Sequence, residues 1–399
     1  MQNGIEITNP KGRKIRVLQV LWTANFGGVE RLVCDLCGGL EESGSIECGV
    51  LFAKSQGPLY AQFDKLAIEK HVDNLRHGVS LSTKRYRRFT ETFRRYDVLH
   101  LHFFNPFIAL AARASNRLIV YTVHGNFHFR KKLKIGDVAY AGLQRRFLNH
   151  DVSYMTFNSQ FARHTAEDRF GLEEVPRSVV YNGSDLNRMK ASGQIEPPLL
   201  EAVRDKFVVG TVGRFAEIKR LHLLIQAFAE FQEHKPAMLL LVGDGPLRTK
   251  LESQVDRLGI RGKVIFTGYR ENVADFQERM DLCVFPSYNE SFGLVAVEAL
   301  ALGKPAIVME DGGGIVEVVG EVSREDVVRD VPALVDRMEY YFRHPEYLQA
   351  LAQERRSRAE HFSIDRMASQ FSEIYQNLAL ERIRSNAIST PHEVPVTNQ

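Results

Sequence analysis

The stretch DLCVFPSYNESFGLVAVEALALGKPAIV, Asp281 to Val308, decides how the rest of the chain is read. It scans as a strand (Leu282 to Phe285), a loop, a helix (about Phe292 to Leu302) and a second strand (Ala306 to Met309). Gly303 falls where a helix end needs a residue free to take positive φ, and Pro305 forbids the helix from resuming. Ser291 is expected to cap the helix, its hydroxyl accepting from an orphan backbone N–H. The helix is apolar nearly all round, which predicts burial, yet it carries Glu298. A carboxylate there is costly unless something bonds to it. Glu290 lies in the loop facing the helix N-terminus, where Ser291, Phe292, Gly293 and Leu294 offer backbone N–H groups to an anion. Two carboxylates flanking an anion site suit a ligand with both hydroxyls and phosphates, such as a nucleotide sugar. The plainer alternative makes Glu298 half of a buried ion pair and Glu290 a solvated loop residue.

The surrounding second half repeats strand and helix. Phe207 to Val212 runs into GRFAEIKR, Met238 to Val242 into GDGP, and Val264 to Phe266 into TGYREN. Arg214 and Lys219 stand five apart across a strand-to-helix turn, two cations that a diphosphate would neutralise. No Asp-x-Asp pair occurs anywhere to hold a divalent ion on a nucleotide sugar. The diphosphate is therefore expected to be met by Arg214, Lys219 and backbone N–H groups, with no metal and no other cofactor. Helical patterns fill Arg324 to Glu381, and the polar tail 384–399, with two prolines, is expected to be disordered.

In the first half, Ile15 to Leu21 is a strand leading into TANFGGVERLVCDLCGGL. Gly27 and Gly28 sit at the strand-to-helix turn, where glycine lets a ligand approach the backbone. The three-glycine dinucleotide fingerprint is absent, so no nicotinamide or flavin is indicated. Further strands are expected near Cys48 to Ala53, Val98 to His102, Leu118 to Val123 and Val152 to Phe157. Alternation of strands and helices implies parallel sheets with ligands at the strands' carboxyl ends. His100, His102 and His124 fall at such ends. His124, followed by Gly125, is placed to bond a sugar hydroxyl or phosphate; the plain alternative is a satisfied structural histidine. His124 with His128 as a metal pair lacks further ligands at suitable spacing. His100 and His102 share one strand face and are expected to be structural. Tyr86, Phe89, Phe93 and Tyr96 recur at three and four, giving a basic helix one aromatic face for core packing. With a second basic cluster at 130–134 it could attract an anionic membrane surface. No nucleic-acid-binding motif is present.

A chain of 399 residues holds two domains of ordinary size, and 44% hydrophobic with 25% charged residues is a globular balance. The net charge of +3 argues neither for nor against nucleic acid. Four cysteines are too few for a disulfide scaffold and suit a reducing compartment; Cys34 and Cys37 read as buried helix residues rather than a zinc or redox pair. The N-terminal segment has no apolar core of a secretory signal, and no run approaches a transmembrane helix. The expected location is cytoplasmic, at most peripheral on the inner face of a membrane.

These motifs, in this order from about Val17 to Phe371, resemble the retaining glycosyltransferases of family four, with the GT-B fold. The resemblance implies an α/β architecture of two Rossmann-like domains facing each other across a cleft, with a C-terminal helix crossing back to the first. It places an acceptor-side domain at 15–188, completed by 364–383, and a nucleotide-sugar-binding domain at 189–363. Glu290 and Glu298 match the family's Glu-x7-Glu element, whose first Glu contacts the donor sugar and whose second bonds the ribose. Arg214 and Lys219 match its diphosphate clamp, and Gly27 and Gly28 the loop facing donor and acceptor. His124 matches the histidine near the donor sugar, and the backbone at Tyr269 and Arg270 the usual base contact. Arg220 departs from the glycine frequent at its position, and Val316 from the proline common before Glu317. The loop and strand that usually follow Val319 are expected to be lost.

The implied reaction is transfer of a glycosyl group from a UDP- or GDP-sugar to a saccharide or lipid-linked acceptor, with retention, in cell-surface polysaccharide or glycoconjugate synthesis. His124, Glu290, Arg214 and Lys219 would carry it. No carboxylate is an obvious nucleophile, so same-face attack is favoured, the leaving phosphate oxygen taking the acceptor proton. Two other readings are a nucleotide-sugar epimerase of this architecture and a non-catalytic sugar-nucleotide-binding protein.

Overall fold

The computed structural model describes residues 13–25, 27–55, 57–75, 82–125, 135–172, 174–189, 193 and 195–389. Among the described residues, apolar runs bounded by glycine and polar turns give thirteen strands: β1 (Ile15–Thr23), β2 (Ile46–Ser55), β3 (Glu69–Val72), β4 (Val98–Leu101), β5 (Leu118–Val123), β6 (Tyr154–Phe157), β7 (Arg177–Val179), β8 (Phe207–Val212), β9 (Ala237–Val242), β10 (Val264–Gly268), β11 (Leu282–Phe285), β12 (Ala306–Met309) and β13 (Val327–Val328). They form a seven-stranded sheet, β3-β2-β1-β4-β5-β6-β7, and a six-stranded one, β10-β9-β8-β11-β12-β13. Every pairing is parallel, as between Ile15 and Ile46 or Val17 and Val98. Central strands such as β4 and β9 are buried along their whole length, the mark of sheets covered on both faces. Strand order reverses between β1 and β4 and again between β8 and β11. At such switch points the carboxyl ends leave a crevice for ligand. The two α/β units therefore have the Rossmann-like form expected of GT-B.

The helix Gly28–Glu42 turns Leu32, Val33, Leu36, Cys37 and Leu40 inward. The C-terminal helix Ile364–Ser389 lies beside it, and Met367, Ala368, Phe371 and Tyr375 share a core with Ile15, Val17 and Val50 of the first sheet. Burying each of the large side chains contributes roughly 1.5–3 kcal/mol, so this C-terminal helix is part of the first unit. It runs on to Ser389, so 384–389 are helical rather than a loose tail. The aromatic face of the helix Thr83–Arg94 packs as expected, with Phe89, Phe93 and the following Tyr96 buried. All four cysteines are buried thiols, Cys37 and Cys48 with sulfurs 3.3 Å apart. The basic cluster at 130–134 and His128 lie outside the described residues.

Two expectations fail around Val308. The helix spans Leu294–Ala301 and is capped by Gly293 at φ 99°, not by Ser291. A Cβ at Gly293 would lie 2.4 Å from the Ile315 side chain, so only glycine makes this entry. The end is as expected, with Gly303 at φ 75°. The strand after Val319 is not lost: GEVSRED turns through a single helical turn, and Val327–Val328 adds β13 beside β12. Two residues of strand are too short to stand out by pattern. Asp330 then caps the helix Val331–Arg343 through Ala333 N–H. Short β3 and β7 were also not expected; they are edge strands with little alternation.

Candidate functional site

At the carboxyl end of β8 the chain passes through Gly213 at φ 151° and a single turn, Glu217–Lys219. Ile218 O accepts from Tyr288 N–H at 2.8 Å, which brings that turn against the loop after β11. Lys219 Nζ then donates to both oxygens of Glu290, at 2.7 and 2.6 Å. Both side chains are about four-fifths buried, at 18% and 19% exposure, so each supplies the charge the other needs. Arg220, at φ 44°, occupies the left-handed region that explains a glycine preference there. Its guanidinium offsets that cost by donating to Pro286 O at 2.9 Å, Ser287 O at 3.2 Å and Asp311 at 2.9 Å, and it covers the Tyr288 ring.

The Glu290 loop is threaded along the segment Asp311–Gly314. Asn289 N–H donates to Asp311 O at 2.9 Å, Glu290 N–H to Gly312 O at 2.7 Å, and Gly314 N–H to Glu290 O at 2.7 Å. A Cβ on Gly314 would lie 2.2 Å from Ser291 O, so the DGGG run is what permits this approach. Asn289 itself has φ 48°. Backbone strain gathered next to a charged pair is a mark of functional loops. Beyond it, Phe292, Gly293 and Leu294 open a helix that no side chain caps, leaving N–H groups toward an anion. One turn on, desolvation pushes the Glu298 carboxyl up to about 7, with the Arg31 and Lys219 charges pulling the other way. Arg31 comes from the helix Gly28–Glu42 of the first unit, so the two halves meet electrostatically here.

They also meet by direct bonds. Ser159, after β6, caps the helix Gln160–Phe170 by accepting from Ala162 N–H at 2.9 Å and donates its hydroxyl to Ser291 O at 2.6 Å. The Glu317 carboxylate accepts from Gln160 N–H at 3.0 Å, Phe161 N–H at 2.7 Å and Tyr181 O–H at 3.1 Å. Arg358 holds the Glu317 carbonyl at 2.7 Å. A carboxylate on a helix N-terminus is favoured by both hydrogen bonding and the helix dipole. Ser159 and Glu317 were not singled out from sequence. A serine between strand and helix was the available signal for the first.

Lys219, Glu290, Ser291 to Leu294 and Glu298 are thus gathered in one place. Arg214 is adjacent in chain but exposed, and its guanidinium bonds to no described residue. Gly27 and Gly28 do sit at the β1 turn, but the space beside Gly27 is taken by Glu30, whose carboxylate would lie 2.2 Å from a Cβ there. Burial raises the Glu30 carboxyl. Tyr269 is exposed at the end of β10, while Arg270 turns back to pair with Glu196 and to lie 5.0 Å over the Phe276 ring. His124 follows β5; its Nε2 lies 2.8 Å from His102 Nδ1, and Asn158 Nδ2 donates to its carbonyl at 3.4 Å. Burial lowers the His124 imidazole to about 4, so the ring is neutral. Its Nδ1 is buried with no partner among the described residues. His100 and His102 stack on one strand face, ring centroids 4.1 Å apart. Among the described residues no cluster of three or more His, Cys, Asp or Glu is arranged to hold a metal ion.

The family model for glycosyltransferase family 4 matches residues 26–188 and that for glycosyl transferases group 1 matches 196–358. The chain is 26% identical over 390 residues to the O-antigen chain mannosyltransferase C of Escherichia coli, spanning 92% of this chain and 98% of that one. It is 28% identical over 295 residues to the N-acetyl-alpha-D-glucosaminyl L-malate synthase of Bacillus anthracis, spanning 71% and 75%. Among solved structures, Anabaena HepE in complex with UDP superposes with a TM-score of 0.75 at 23% identity, over 91% of this chain and all of that one. The sequence matches over both halves, and the paired parallel sheets that this last likeness repeats, lead to one conclusion: the chain belongs to the family 4, group 1 glycosyltransferases and is a glycosyltransferase of the GT-B fold.

Proposed function

We propose that this enzyme moves a sugar from a UDP- or GDP-sugar to a saccharide or lipid-linked acceptor, with retention at the anomeric carbon and without a metal ion. The observation that carries the reading is the Lys219–Glu290 pair beside the uncapped helix at Phe292 to Leu294. In the structure the two charges satisfy one another. A nucleotide sugar offers each a separate partner: the diphosphate for Lys219, Arg214 and the helix N–H groups, the sugar hydroxyls for Glu290. Glu298, one turn deeper, meets the ribose, the backbone at Tyr269 and Arg270 the base, and the turn at Gly27 and Gly28 the acceptor side of the diphosphate. His124 bonds the donor sugar from the opposite wall.

In the reaction the bond from the anomeric carbon to the diphosphate oxygen breaks and a bond from the acceptor oxygen to the same face forms. The acceptor's proton passes to the departing phosphate oxygen. Charge builds on that oxygen, where Lys219, Arg214 and the N–H groups stabilise it. The names of the relatives, a mannosyltransferase of an O-antigen chain among them, favour a role in building surface polysaccharide. The exposed Lys84, Arg87 and Arg94 on the helix Thr83–Arg94 favour work against an anionic inner membrane surface. Among the described residues no helix is long and apolar enough to cross a membrane.

A thermal-shift panel of UDP, GDP, ADP and their sugar conjugates tests the reading. A ligand at 100 times its dissociation constant stabilises by about 2.7 kcal/mol. A shift with one base names the donor, and the anomeric configuration of the product formed from it tests retention. No shift with any of them would sink the proposal.

A further inference from the structure

Lys219 and Glu290 stand 71 residues apart in the chain, so their contact depends on what holds their two turns together. The residues on either side of Lys219 do this. Ile218 O accepts from Tyr288 N–H at 2.8 Å. Arg220 reaches the same loop with its side chain. Its Nε donates to Pro286 O, its Nη2 to Ser287 O, and Nη1 and Nη2 together clasp the Asp311 carboxylate. Pro286 and Ser287 lie just beyond β11 and are buried, so their carbonyls need a donor. Asp311 is joined to the loop a second time, its carbonyl accepting from Asn289 N–H at 2.9 Å. Arg220 thus ties three segments at one point: the turn of Lys219, the loop of Glu290 and the segment along which that loop is threaded.

The backbone shows that the side chain is the reason for the residue. Arg220 holds φ 44° and ψ 37° at the entry to the helix Leu221–Phe231, a conformation that glycine adopts freely and other residues only at a cost. A glycine would serve the turn; only a guanidinium joins two carbonyls and a carboxylate at once. Four of its five N–H groups are used within the protein, and the side chain is 20% exposed, so it is not a free cation awaiting a phosphate.

While Lys219 and Glu290 are paired, the pair itself fastens one turn to the other. A diphosphate that draws Lys219 away removes that fastening when the Glu290 carboxylate must stay in place. The side-chain tie that remains is Arg220.

We infer that Arg220 is a positioning residue which, by holding the Pro286 and Ser287 carbonyls and the Asp311 carboxylate, keeps Glu290 against the donor sugar once Lys219 has turned to the diphosphate. The inference rests on the proposed reading of Lys219 and Glu290 as donor ligands.

The experiment compares the full chain with Arg220→Gly, Glu290→Gln and the double variant. It measures kcat and KM for transfer from the UDP- or GDP-sugar that the enzyme uses and, by calorimetry, the affinity for UDP or GDP alone. Glycine suits φ 44°, so Arg220→Gly should fold. Its kcat should fall about tenfold or more, as for a reacting group left loosely placed, with the affinity for UDP or GDP little changed. In the Glu290→Gln background the same substitution should cost little further, because both act through one carboxylate. Asp311→Asn weakens the same tie without touching the helix entry, and should give a smaller loss with the same non-additivity.

An unchanged kcat in folded Arg220→Gly would overturn the inference. So would a loss found mainly in UDP or GDP affinity, which would make Arg220 a phosphate ligand. Losses that simply add to those of Glu290→Gln would also overturn it, since Arg220 would then only prop the fold. If Arg220→Gly does not fold, Asp311→Asn decides by the same measures. Full activity in both Glu290→Gln and Lys219→Ala would instead overturn the donor-site reading, and the inference with it.

Discussion

On the second sheet's side of the site, Lys219, Glu290 and Glu298 are ionisable groups set in a strained loop and one short helix. On the first sheet's side, His124, His102, Gln19 and Tyr375 are neutral and joined end to end. The charged wall holds its groups by pairing them with each other, an arrangement a charged ligand can take apart and re-pair. The neutral wall holds its groups by hydrogen bonds among uncharged side chains, with no ion pair for a ligand to exchange. One wall holds charges paired with each other, the other uncharged groups joined in a buried chain.

The strongest break in that contrast is Lys219→Ala. It removes a cation from the departing diphosphate and leaves Glu290 without its partner, so kcat should fall about 10²–10³-fold. Steady-state transfer assays check this; a loss under threefold would make the pair merely structural. Next is Glu298→Gln. Because burial raises this carboxyl to about 7, the anionic form that accepts from ribose hydroxyls grows as pH rises. Nucleotide affinity should therefore increase about tenfold from pH 6 to 8 in the wild type, and calorimetry on Glu298→Gln should show a flat profile.

The same group has an opposite effect on folding. A carboxyl whose folded value lies above its ordinary 4.5 contributes stability that is complete below 4.5 and lost as pH rises through about 7. Denaturant melts should show the wild type losing ground to Glu298→Gln over that window; a gain would reverse the assignment. A smaller effect is expected where the walls are tied together. Glu317→Ala frees two N–H groups of the helix Gln160–Phe170 and the Tyr181 hydroxyl. Donor KM should rise by about fivefold, roughly 1 kcal/mol, with a larger radius of gyration in small-angle scattering. The smallest contrast is between two candidate caps. Asp330→Ala should cost about 1 kcal/mol of stability, and Ser291→Ala under about 0.5 kcal/mol, since Ser291 caps nothing.

The charged wall was legible in the sequence because its chemistry is local. Glu290, Glu298 and the helix they serve lie in one short motif and Lys219 in another, and only the pairing of Lys219 with Glu290 needed the fold to bring the two together. The exact entry to the helix was not legible, because Gly293 rather than Ser291 serves as the cap only when Ile315 presses on it from another element. The strand Val327–Val328 was missed because two residues carry no periodicity. Of the neutral wall the sequence showed the histidines His100, His102 and His124 at their strand ends, but not what they bond to. Its members come from β1, β4, β5 and the last helix, and Gln19 or Tyr375 looks like any polar residue in an apolar run until the sheet order sets them side by side.

The helix that completes the first sheet's core is synthesised after every described strand of both sheets. At about 5–20 residues per second, on the order of ten to forty seconds pass between the last strand of the first sheet and the first turn of the helix Ile364–Ser389. During that interval the face later covered by Phe371 and Tyr375 is bare, and the second unit can fold first. The nascent chain therefore carries an exposed apolar surface that a chaperone could hold, and ending translation before Ile364 should yield a protein that aggregates although every strand of both sheets is present. The first unit therefore closes its core only after the strands of the second have been made.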